Sequence, residues 1–86
     1  MNFYVTSAAA SRLAALIQKN YGLGVMIEVP EDGGLHIETM FMLGQKDAIM
    51  IDAEPPIFTT LHTLRKLRNS SIDFDQMKDE FIIRLH

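Results

Sequence analysis

Apolar residues recur along the chain in two rhythms. Residues 2–6, "NFYVT", are aromatic and β-branched, which suits a short strand, and they stop at Thr6-Ser7, either of which can cap a helix. From Ala8 the rhythm becomes helical: Leu13, Leu16 and Ile17 with Ala9 or Ala10 form one stripe, and the alanines favour the helix. Lys19 falls where a cation complements the helix dipole, and Gly22 is expected to supply the left-handed residue that ends the helix. The rhythm then changes to period two. In "GVMIEVP", residues 24–30, Val25, Ile27 and Val29 alternate with Met26 and Glu28. In "LHIETMFML", residues 35–43, Leu35, Ile37, Thr39, Phe41 and Leu43 alternate with His36, Glu38, Met40 and Met42. Pro30 and "EDGG" at 31–34 are turn residues, so the two strands make an antiparallel hairpin.

After a second turn at 44–47, "AIMID" at 48–52 predicts a third strand of the same meander. "AEPPIFTTLHTLRKLRN" opens with prolines, tolerated in a first helical turn, and Ile57 or Phe58, Leu61, Leu64 and Leu67 or Arg68 repeat at helical spacing. That predicts a second helix reaching Asn69. "NSS" breaks it, "IDFD" at 72–75 and "FIIRLH" at 81–86 are strands, and "QMKDE" turns between them. The order β-α-β-β-β-α-β-β makes residues 1–86 a single α+β domain, its two helices packed on a mixed or antiparallel sheet.

Composition narrows the function more than the fold. With 48% apolar and 22% charged residues the chain can bury a core, and 86 residues leave room for one. There is no cysteine, hence no disulfide, thiolate metal site or thiol nucleophile. No basic leader precedes an apolar run and no apolar window is long enough to span a membrane, so a cytoplasmic location without membrane association is expected. The net charge of −3 gives no general attraction to nucleic acid. "RKLR" at 65–68 is a local basic patch without interleaved aromatics, placed where the helix dipole accounts for it.

No enzyme is expected. G-x-S-x-G and H-E-x-x-H are absent, "GLG" at 22–24 follows a helix instead of preceding one, and Ser7, Ser11, Ser70 and Ser71 sit where caps and turns use serine. His36 and Glu38 share a strand face, and Glu28 on the partner strand lies near them if the register allows; together they are the candidate metal ligands, against a solvated polar face as the plainer account. Met40 and Met42 share that face, and with Met26 they form a candidate protein-interaction patch. A helix of the same chain is one occupant for it; a protein partner or a second copy is another.

Four segments in order, "YVTSAAASRLAALI", "VMIEVPEDGGLHIE", "AIMIDAEPP" and "SSIDFDQMKDEFIIRLH", resemble the HesB-like or A-type iron–sulfur carrier domain. The resemblance implies that domain's fold, with a G-G-C-S-G hairpin after the first helix and strand. It also shows what this sequence lacks. Leu35 stands where the first cluster-binding cysteine follows the double glycine, and the sequence reaches His86 without the C-G-C motif that lies beyond the family's last strand. The helix expected over Ile57–Asn69 is fuller than the family's short connection. A cysteine-free, HesB-like accessory or protein-binding module without a cofactor is therefore expected, because imidazole and carboxylate do not replace thiolates around an iron–sulfur cluster.

Overall fold

Thr6 makes the first change of direction. It caps α1 (Ser7–Lys19) by accepting from the Ala9 N–H at 3.2 Å, donates its own hydroxyl to Asp73 at 2.7 Å, and donates its backbone N–H to the Ile72 carbonyl. The short strand before it, β1 (Phe3–Val5), is thereby fixed beside the chain near residue 72. The computed structural model describes residues 3–45 and 47–85. Asn2, Lys46 and His86, expected in the first strand, the second turn and the last strand, lie outside them.

The far end of α1 departs from the expectation in an informative way. The left-handed residue is Tyr21, with φ 56°, and not Gly22. The Gly22 N–H reaches back to the Ile17 carbonyl and that of Tyr21 to Gln18, the two bonds of a Schellman ending. Gly22 is needed for space: a Cβ there would collide with Thr39 Cγ2.

The strands form two sheets. β2 (Gly24–Glu28) pairs antiparallel with β3 (His36–Met40), Glu28 opposite His36 and Met26 opposite Glu38. β4 (Ile49–Ala53) does not continue that meander. It pairs with β5 (Pro56–Thr59), which lies parallel to β2, so the sheet order is β3-β2-β5-β4. The second sheet has the order β1-β6-β7, from β6 (Ser70–Asp75) and β7 (Glu80–Leu85), with β1 parallel to β6.

The α+β class and the expected order hold, with one strand added. β5 occupies residues assigned above to the second helix, and α2 is only Leu61–Lys66, capped by Thr60. The physical reason is two-sided burial. Ile57 is buried among the main-core residues while Phe58 is buried on the opposite face with Met26 and Met40. Adjacent residues buried on opposite faces are a strand signature, but with Leu61 and Leu64 further along they also satisfy a helical template. The prolines mark the reversal between β4 and β5 instead of a helix start. Ser70 and Ser71 are likewise buried strand residues opposite Phe3 and Tyr4, and the turn into them is made by Asn69 at φ 60°.

One core joins the two sheets. Ala9 and Leu13 of α1 pack with Val25 and Ile27 of β2, Ile57 of β5, and Ile72 and Phe74 of β6. On the outer surface of α1, Arg12 lies 4.5 Å over the Phe74 ring and bonds Asp79 at 2.8 Å, while Phe74 meets Phe81 edge-on at 5.0 Å. These contacts pin the β6–β7 hairpin to the helix.

Candidate functional site

The β2–β3 hairpin carries the residues singled out by the sequence. Its connection, residues 29–35, begins with a turn closed by the Gly33 N–H on the Pro30 carbonyl at 3.0 Å. Gly33 and Gly34 have φ of 88° and 82°, which a side chain tolerates poorly, so both glycines have a backbone reason for their place. Two contacts hold this connection from the α2 side. The buried Val29 N–H donates to Thr63 Oγ1 at 3.1 Å, and Lys66 Nζ donates to the Pro30 carbonyl at 2.9 Å. One lysine of the basic patch thus works on the hairpin.

Leu35 follows the double glycine and turns inward. It is half-buried and packs against the main core. An iron–sulfur cluster needs thiolate donors, and this position supplies an aliphatic side chain engaged elsewhere, in a chain with no cysteine. These residues do not fit such a group.

His36, Glu38 and Glu28 share one face of the hairpin, as the alternation requires. His36 Nε2 and Glu38 Oε2 approach to 4.0 Å with both side chains largely exposed, and Glu28 sits across the ladder from His36. Among the described residues no three histidine or acidic side chains gather as a metal group. The two side chains meet at a solvated end of the sheet, where an exposed polar contact contributes little.

The same face changes character toward the other end of the strands. Met26 and Met40 are buried with Phe58, and Ala48 packs against them. Gly24 makes this packing fit: a Cβ there would come within 3.2 Å of the Phe58 ring and 2.8 Å of the Pro56 carbonyl oxygen. Of the three methionines proposed as an interaction patch, two are therefore used internally and Met42 remains exposed. Exposed apolar side chains close to the hairpin in sequence are Phe41, Met42 and Leu43, which leave the sheet after β3, and Met50 on β4 is exposed as well. The period-two pattern runs on through Leu43, whereas β3 ends at Met40. A cleft of about 350 Å³ lies between the hairpin face and this segment, lined by Met26, Met40, Met42 and Phe41 with Glu28 and Glu38.

No family model matches the chain, and no curated protein matches it in sequence. Its fold has a counterpart among solved structures. Escherichia coli SufA, involved in biosynthesis of iron–sulfur clusters, superposes with a TM-score of 0.78 at 22% identity, over 100% of this chain and 85% of that one. The likeness is one of architecture, and on it the chain has a HesB-like, SufA-like α+β fold.

Proposed function

We propose that this domain is a non-catalytic protein-binding or accessory module on the SufA-like fold, working beside iron–sulfur cluster assembly without itself holding a cluster. The observation that carries this reading is Leu35: the position after the double glycine is aliphatic, half-buried and packed against the core, in a chain with no cysteine. The exposed apolar segment beside the hairpin gives such a module a surface to work with, and a cytoplasmic setting suits a cysteine-free chain.

The test is anaerobic incubation of the protein with ferrous iron and sulfide, followed by desalting. The expected product has no retained iron, no retained sulfide and no visible absorption. A chain that keeps a stoichiometric, coloured cluster through desalting would overturn the reading.

A further inference from the structure

The outer face of the four-stranded sheet carries a row that is apolar on three strands and ends in a carboxylate on β3. The strand register sets Glu38, Met26, Phe58 and Met50 side by side from β3 through β2 and β5 to β4. Met26 and Phe58 are buried, but the row does not end in buried residues. Met50 is 52% exposed, and the segment leaving β3 presents Phe41, Met42 and Leu43 at 62, 68 and 50%. Phe41, Met42 and Leu43 are consecutive, and exposed apolar groups that lie together mark an interaction surface more often than the same groups scattered singly.

Three methionines line the cleft beneath this segment. Unbranched thioether side chains adapt to irregular partners, which suits a groove that takes apolar anchors from a helix. The charge of the groove selects among such helices. Among the described residues the charged groups lining the cleft are Glu28 and Glu38, both carboxylates. A partner whose apolar stripe is flanked by lysine or arginine is attracted, and one flanked by acids is repelled.

We propose that this groove receives an amphipathic helix with a basic flank from a protein partner, its apolar side chains seated on the exposed Phe41 and Met42 above a floor formed by the buried Met26 and Met40, and its cations facing Glu28 and Glu38. The proposal rests on the protein-binding reading above and names the partner's chemistry.

The experiment uses protein labelled at its methionine methyl groups and two synthetic helical peptides with leucines at identical spacing, one filled out with lysine and the other with glutamate. The Leu–Lys peptide is expected to shift the methyl resonances of Met26, Met40 and Met42. Met77, 97% exposed in the turn between β6 and β7, should stay in place. The Leu–Glu peptide should bind at least about tenfold more weakly. Glu28→Lys with Glu38→Lys should invert that preference, and Met42→Asp, at an exposed position where folding is not at stake, should weaken the Leu–Lys complex.

Equal affinity for the two peptides, a preference unchanged by the charge reversal, shifts confined to Met77, or no binding would each overturn the proposal. So would methyl shifts that grow with protein concentration in the absence of peptide, which would assign the face to a second copy. The iron and sulfide incubation separates the two readings: a retained cluster sinks the accessory-module reading, whereas no cluster combined with charge-blind peptide binding sinks only the groove.

Discussion

Tyr21 is held in a backbone state that the isolated residue would avoid, and Asp73 in a charge state that the fold favours more strongly than the isolated residue does. Tyr21 takes the left-handed conformation that ends α1, and its side chain is 92% exposed, so little packing offsets the cost. Tyr21→Gly should stabilise the fold by about 1 kcal/mol, read as a higher urea midpoint; a lower midpoint would show that the ring makes a contact worth more than the strain. Asp73 is held at about 2, below its ordinary 3.8, first because Arg84 donates to it at 2.7 Å and then through Thr6 and the Phe74 N–H. The folded state therefore favours the carboxylate. The stability this contributes is complete above the ordinary value and is lost as pH falls from about 4 toward about 2. Asp73→Asn should lower the urea midpoint at neutral pH and flatten its fall over that acid interval; parallel curves for the two proteins would contradict the assignment. The site was only partly legible at this scale. Leu35, Gly33 and Gly34 could be read as a hairpin with an aliphatic residue in the reactive place, but the inward packing of Leu35 depends on residues distant in sequence.

Among the elements, α2 and β2 are coupled by one buried hydroxyl. Thr63 accepts from the Val29 N–H where β2 has left its ladder, and Thr59 Oγ1 donates to the Ile27 carbonyl at 2.7 Å from the neighbouring strand. Thr63→Val keeps the shape and orphans the Val29 amide, so it should cost about 1–3 kcal/mol and speed hydrogen exchange at that amide. An unchanged midpoint with a still-protected Val29 would show that the amide finds another partner. The second half of the chain is harder to read than the first because of how β5 is buried. α1 follows from periodicity because it has one buried face, and β2 with its hairpin follows because Val25, Ile27 and Val29 alternate with Met26 and Glu28 and turn residues come after them, although Met26 is buried as well. β5 is buried on both faces, so Ile57 and Phe58 yield no alternation, and its neighbours supply a helical pattern by coincidence. The insertion of β5 between β2 and β4 is set by which strands pair, information that no local window contains.

For the molecule as a whole, the decisive feature is that α1 serves both sheets at once. The two sheets have no shared ladder, and the protein would be expected to open in two steps if each had its own core. Instead Leu13, fully buried, stands in a cluster containing Val25 and Ile27 from one sheet and Ile72 and Phe74 from the other. Loss of that side chain removes apolar contacts from both sheets together, and the space it leaves is walled by strands already fixed in their ladders, which limits collapse around it. Leu13→Ala should therefore cost about 2–5 kcal/mol while unfolding remains a single transition. Far-ultraviolet circular dichroism follows both sheets and the helix; tyrosine fluorescence follows Tyr4 on β1 and Tyr21 between α1 and β2. The two signals should give coincident urea curves in the wild type and in Leu13→Ala, displaced to lower urea in the variant. Curves that separate, or amides of the β1-β6-β7 sheet that exchange well before those of β2 and β5, would mean that the helix bridges two cores that open independently.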